Sequence, residues 1–288
     1  MDFWNSNVEI RFFEEALKNF ASPEQLFYKL KTGYFAYSPK NKTTEGQTLQ
    51  SRNSLIGQYT EKWCKDFFQP IAVEHGLYAV NSVICPEIGL TNTTDADLAF
   101  CTTEDVNQPA ENIKLIFEIK MSIVNNYKYE DKEVLFVGNY KAHKGTPSIL
   151  RSDSMLKAIG KSINIRVAGT ESANIPIIVL GNSPITSSYI KKVDFLKQAG
   201  VIQGFISLYP NPVEDNFIEK TPKQGFQTFN NYENLKKFVS ELVSSEMNYF
   251  SSMLPKKRLG EIISISAKAK TDAGKAEKFL LLLKEERL

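Results

Sequence analysis

The chain has 288 residues, 42% hydrophobic and 24% charged, and its 35 lysines and arginines nearly balance 33 aspartates and glutamates to leave a formal charge of +2. That balance excludes a histone-like or acidic-tail protein, and the length allows roughly 75% of the unfolded surface to be buried without disulfides. No apolar run approaches the about 20 residues that span a bilayer, and Asp2, Glu9, Arg11, Glu14 and Glu15 interrupt any signal-peptide core, so a cytoplasmic protein with no membrane partner is expected.

Residues 8–32 place Ile10, Phe13, Leu17 and Phe20 at helical spacing, with Leu26 and Leu30 after the break at Ser22-Pro23, which predicts a helical N-terminal segment. The polar stretch 38–50 reads as a loop. A second helix is predicted over 51–69, with Leu55, Tyr59, Trp63 and Phe67 on its buried face and Pro70 as its stop. The period then changes: 78–88, 95–101 and 113–121 are β-branched or aromatic-rich runs between polar turns, three strands of a meander. Residues 127–148 have no clear class. There follow a helix over 152–165 capped by Ser152 or Asp153, a buried strand over 175–180, a helix over 189–198 ending at Gly200, and a buried strand over 201–209. Beyond Pro210 come a loop, a helix over 232–250 and a charged terminal helix over 259–286. This is an α/β order with no repeats and no linker, hence one elaborated domain over 1–288: a helical segment (1–50), a core (51–210) and a helical C-terminal segment (211–288).

Three widely spaced cysteines (Cys64, Cys85, Cys101) and only two histidines (His75, His143) argue against a zinc site, and the cysteines read as small buried hydrophobes. Gly160-Lys-Ser162 lacks the upstream glycine of a phosphate loop, where Met155 stands. With no GxSxG elbow and few histidines, chemistry falls to carboxylates and lysines. Two strand segments carry acids within apolar sequence, Asp95-Ala-Asp-Leu-Ala-Phe100 and Leu115-Ile-Phe-Glu-Ile-Lys120. Residues two apart share a strand face, so Glu118 and Lys120 project together while Ile119 points to the opposite core face; Asp95 and Asp97 likewise share a face. If the two strands pair through the turn at 102–112, one aspartate lies beside Glu118. Neighbouring carboxylates repel, and Mg²⁺ relieves the repulsion with carboxylate oxygens, a strand carbonyl and waters around it. The lysine could orient or deprotonate a water attacking phosphorus, or stabilise developing negative charge. The competing reading is a solvated salt bridge at a strand end. Glu130-Asp-Lys132 repeats the triplet and serves as a decoy, because Asn125 to Lys128 are too polar for a buried strand.

On these residues the sequence resembles the PD-(D/E)xK nuclease superfamily, and its plan is similar to that of a type II restriction endonuclease. Gly57-Gln-Tyr-Thr-Glu61 lies in the helix before the strands, Asp97 matches the motif aspartate and Glu118-Ile-Lys120 matches (D/E)xK, over about residues 51 to 210. Ala96 stands where the family has proline, and Asp95 competes with Asp97. The resemblance implies an α/β/α sandwich around a central mixed β-sheet with helical N- and C-terminal additions. It implies Mg²⁺ held by Asp97, Glu118 and the Ile119 carbonyl, Lys120 acting on the water nucleophile, and Glu61 joining the metal shell, against an exposed pairing of Glu61 with Lys65. The implied activity is Mg²⁺-dependent endodeoxyribonuclease, a site-specific restriction enzyme. The alternatives are a structure-specific repair or recombination nuclease and a non-catalytic DNA-binding module of nuclease fold. A carboxylate-pair glycosidase would need neither Lys120 nor a metal.

Between Lys141 and Arg166 the basic residues Lys141, His143, Lys144, Arg151, Lys157, Lys161 and Arg166 face a single acid, Asp153. Lys144, Arg151 and Lys157 are the expected phosphate contacts to double-stranded DNA, helped by N–H groups at the helix start near Ser152. Lys256-Lys-Arg258 is a second basic patch. One such constellation cuts one strand, so a double-strand break calls for a homodimer, with Phe238, Leu242 and Leu280 as candidate interface residues.

Overall fold

The structure is a computed structural model and describes residues 2–40, 50–209, 219–245 and 255–286. Helix α1 (Ser6–Asn19) starts at Asn5, whose side chain accepts from the Asn7 and Val8 N–H groups and satisfies donors left free at a helix start. It buries Val8, Glu9, Phe12, Phe13 and Ala16, a stripe turned from the expected one, and Phe20 is exposed. The helical reading of the rest of this segment is overturned. After the single turn of α2 (Pro23–Leu26) the chain forms a hairpin of β1 (Tyr28–Leu30) and β2 (Gly33–Phe35). Tyr28 faces Phe35 across it and Tyr34 packs edge-on against Tyr129, aromatic pairing that favours strand over helix here. Residues 41–49 of the expected loop lie outside the described residues.

Helix α3 (Gln50–Glu74) runs straight through Pro70. An interior proline costs about 3 kcal/mol, but Ile71 and Ala72 beyond it are fully buried and offset that cost. The terminator is instead Gly76, at φ +67°, with the Leu77 N–H closing on the Ala72 carbonyl.

The meander forms as expected: β3 (Tyr78–Val83), β4 (Ala96–Cys101) and β5 (Ile113–Ile119) pair antiparallel in sequence. The unassigned stretch forms a second hairpin, β6 (Asn126–Glu130) and β7 (Glu133–Gly138), which joins the first as a small antiparallel sheet in the order β1-β2-β6-β7. The decoy triplet is its turn, with Asp131 and Lys132 both at positive φ. Contrary to expectation, Asn125, Asn126 and Tyr127 are buried, because their polar atoms find partners inside. Helix α4 (Ser152–Ala168) follows; its cap position is Arg151, with no side-chain cap from Ser152 or Asp153. Then come β8 (Ile177–Gly181), α5 (Ile190–Gln198), β9 (Gly204–Ser207) and the unforeseen β10 (Phe226–Thr228). These strands add in parallel to β5, giving a mixed six-stranded sheet of order β10-β9-β8-β5-β4-β3.

Helix α6 (Tyr232–Ser244) ends before the expected 246–250, which lie outside the described residues, as does 210–218 of the loop before it. The single terminal helix is in fact two, α7 (Lys256–Ser266) and α8 (Asp272–Glu285), divided where the Thr271 hydroxyl caps the second. The large sheet is covered on both faces. Leu98, Phe100, Leu115 and Phe117 pack with Phe68 and Ile71 of α3 and Leu235 and Val239 of α6. On the opposite face Ala99, Ile116 and Ile177 meet Ile165 of α4, while Val179, Phe205 and Phe226 meet Met155, Ala158 and Val193. Each such fully buried large side chain contributes about 1.5–3 kcal/mol. The protein is thus mixed α/β, and no helix among the described residues is long and apolar enough to cross a membrane.

Candidate active site

The β4–β5 register pairs Leu98 with Phe117 and Ala99 with Ile116, so the next positions along are Asp97 and Glu118. Both lie on the α4 face, since Leu98 and Phe117 beside them pack on the other. Asp95 precedes the strand, and it is Asp97 that the register sets against Glu118. Asp97 Oδ2 accepts the Ile119 N–H at 2.6 Å, which fixes the carboxylate at the edge of β5. Lys120 is anchored by its own N–H to the Leu180 carbonyl at 2.7 Å. Its Nζ pairs with Glu118, lies 3.5 Å from Asp97 Oδ2 and donates to the Ile119 carbonyl at 3.1 Å. The side chains expected to meet at the motif therefore do meet, with Ile119 itself in the opposite core.

A second lysine completes the cluster. Lys161 of α4 reaches Asp97 Oδ1 at 2.9 Å and Glu118 Oε2 at 2.6 Å, so two carboxylates alternate with two ammoniums. Only 5% of the Glu118 side chain is exposed; burial first, then the Asp97 charge, raises its carboxyl, and both lysines oppose the rise. Burial alone would lower the Lys161 ammonium, but Asp97 and Glu118 push it above the ordinary lysine range. Sequence reasoning placed Lys161 among the DNA-facing residues. The available signal was its position three after Ala158 and four before Ile165, on the stripe of α4 that packs on the sheet.

Glu61 of α3 sits beside the cluster without bonding to it. Burial, then Asp97 and Asp95, raise its carboxyl to about 7, with Lys120 and Lys161 opposing. Among the described residues it forms no ion pair with Lys65, so the exposed-pair reading does not hold. The Asn81 amide donates to the carbonyls of Glu61 (3.1 Å) and Asp97 (2.9 Å), tying helix to strand. Next to it Ser82, between the pairs Asn81–Leu98 and Val83–Ala96 and so opposite Asp97, has φ +54°, a conformation costing about 1–3 kcal/mol outside glycine.

Lys120 opens onto a cleft of about 880 Å³ whose lining carries five cations (Arg52, Lys120, Lys144, Arg151 and Lys157) against one carboxylate, Asp153. The three residues expected to contact phosphate are therefore all on this cleft, beside the N-terminus of α4. Arg151 and Lys157 are well exposed, 3.4 and 3.0 Å from Asp153. The rest of the basic stretch does not join them. His143 is buried and stacked on Tyr37 at 4.1 Å, and Arg166 is buried against the Ser172 carbonyl and Gln203. In the C-terminal patch Arg258 is engaged by Glu261 and Glu286. Sequence reasoning missed Arg52, which is buried between the rings of Tyr28 and Tyr37 and donates to the Ala36 carbonyl.

The cleft floor is a closed set of bonds between three loops. Asn182 exchanges two hydrogen bonds with the Ser122 backbone (3.1 and 2.6 Å), the Asn182 N–H donates to Ser148 Oγ (3.0 Å), and the Ser148 N–H donates to Ser122 Oγ (2.8 Å). Behind it Glu9 is fully buried and accepts from Trp4 (2.9 Å), the Val124 N–H (2.6 Å), the N–H and amide of Asn125 (both 3.1 Å) and Tyr127 (2.7 Å). Burial raises the Glu9 carboxyl and these donors pull against it.

Among the described residues no group of three or more His, Cys, Asp or Glu side chains is arranged to hold a metal ion. The donors at hand are two carboxylates and the Ile119 carbonyl. No protein-family model matches the chain, and neither characterised proteins nor solved structures yield a match.

Proposed function

We propose that the protein is a Mg²⁺-dependent endodeoxyribonuclease of the PD-(D/E)xK type, with a restriction-endonuclease-like sandwich, that cuts double-stranded DNA site-specifically. The observation that carries this reading is the meeting of Asp97, Glu118 and Lys120 at one end of β4 and β5, at the mouth of a cleft rich in cations. The donor set fits the ion. Mg²⁺ takes hard oxygen ligands and commonly uses only one or two protein carboxylates beside substrate phosphate. Glu118 Oε2 is buried with the Lys161 ammonium 2.6 Å away and Asp97 Oδ1 lies 2.9 Å from the same ammonium, so the two carboxylates already converge on a seat for positive charge. Asp97, Glu118 and the Ile119 carbonyl would hold Mg²⁺, and the ion supplies positive charge against the charge that develops at the scissile phosphate. Glu61 would support that shell from α3. Lys120 holds an ammonium proton toward the attacking water or a phosphate oxygen. Lys144, Arg151 and Lys157 neutralise flanking phosphates and fix the duplex in the cleft.

Incubation of supercoiled plasmid with protein and Mg²⁺ tests the reading. Discrete linear fragments support it; preference for branched over linear duplexes would move it to a repair or recombination nuclease, and binding without cleavage to a non-catalytic module. Two further results are expected. Replacing Lys144, Arg151 and Lys157 together by alanine lowers affinity for all duplex sequences and reduces the slope of log K against log salt by about one unit per lost phosphate contact; an unchanged slope would place the DNA elsewhere. Light scattering of the protein on DNA gives a dimer, because one constellation performs one displacement and a double-strand break needs two, on strands of opposite polarity. A strictly monomeric complex that only nicks at every protein concentration would rule the dimer out.

A further inference from the structure

Lys161 has no counterpart in the motif, and Lys120 already fills the lysine role, so the two carboxylates carry one ammonium more than the proposed chemistry requires. We propose that Lys161 is a resident counter-ion that occupies the carboxylate pair in competition with the divalent cation and is released from Asp97 and Glu118 when the metal binds. The inference rests on the nuclease reading of the site. Its Nζ bridges both acids, 2.6 Å from Glu118 and, at 2.9 Å, closer to Asp97 than Lys120 at 3.5 Å, and its side chain is four-fifths buried against the sheet. The four charges sum to zero without a metal. A divalent ion entering beside two ammoniums meets repulsion that a partly buried setting screens poorly. The long flexible stem gives a way out, and one turn earlier on the same helix Lys157 already lines the cleft. Released toward the cleft, the Lys161 ammonium would move from an acid pair to a phosphate-binding surface.

Isothermal titration of the full chain with MgCl₂ or MnCl₂ tests this by a readout independent of cleavage. Lys161→Gln is expected to bind the ion at least tenfold more tightly than the unmodified protein. It should also melt at a lower temperature without metal, because Glu118 loses a partner, and gain more on adding Mg²⁺. A second measurement needs no variant. Lysine acetylation read by mass spectrometry should show Lys161 modified faster in saturating Mg²⁺, with Lys132, on the β6–β7 turn, unchanged. Binding by the unmodified protein with equal or weaker binding by folded Lys161→Gln would overturn the inference and leave the nuclease reading standing, and so would a Lys161 acetylation rate that Mg²⁺ leaves unchanged or lowers. Failure of both proteins to bind a divalent ion would remove the metal-dependent reading and the inference together.

Discussion

Lys120→Ala is expected to reduce Mg²⁺-dependent cleavage by at least about 10³-fold, equivalent to about 4 kcal/mol of transition-state stabilisation, while DNA binding persists. Its ammonium is the group that touches Glu118, Asp97 and the Ile119 carbonyl at once. The fold survives because Glu118, although buried, keeps the Lys161 ammonium 2.6 Å away as counter-charge. The loss therefore appears in kcat under single-turnover conditions, with circular dichroism and melting temperature little changed. Lys132→Ala, on the turn of the β6–β7 hairpin, is the matched control and leaves cleavage as it was. A well-folded Lys120→Ala protein with near-normal turnover would defeat the assignment of the (D/E)xK lysine.

The largest stability effect is expected at Glu9. Glu9→Ala strips the acceptor from the Val124 and Asn125 N–H groups, the Trp4 indole and the Tyr127 hydroxyl in the buried interior. Each buried donor left unsatisfied costs about 1–3 kcal/mol, with some relief from relaxation, so about 3–5 kcal/mol of the whole is lost. Urea unfolding measures it as a fall in midpoint at unchanged slope. Glu9→Gln is milder, because its amide oxygen still accepts while its NH₂ confronts donors. A loss below about 1 kcal/mol for Glu9→Ala would show that the carboxylate does not hold this network together.

The contrast between Lys120 and Glu9 shows what could be read from sequence. The meander, α3, α4 and the parallel strands β8 and β9 are legible because period-2 and period-3.6 patterns are local, and the Asp97, Glu118, Lys120 grouping follows from strand alternation plus one antiparallel pairing. Glu9 looks like a solvated position on an amphipathic helix; apart from Trp4, its partners lie 115 to 118 residues away. Lys161 meets Asp97 across 64 residues. Pro70 misleads because its local cost is outweighed by the burial of Ile71, which only the assembled core supplies. The small sheet is hidden for the same reason, since β2, besides pairing with β1, finds β6 across a long stretch of sequence.

That small sheet leaves β5 by a short path. From Lys120 the chain passes through Met121 to Asn125 directly into β6, and Tyr37, next to β2, donates its N–H to Asn126 Oδ1 at 2.8 Å and its hydroxyl to the Ile123 carbonyl at 2.7 Å. Lysine and cleft wall are thus mechanically in series, with Glu9 clamping the stretch between them. Exchange of the small sheet for a foreign one would therefore not be modular: a graft that reshapes the wall also shifts the ammonium, and altered grip on the duplex and altered turnover would arrive together.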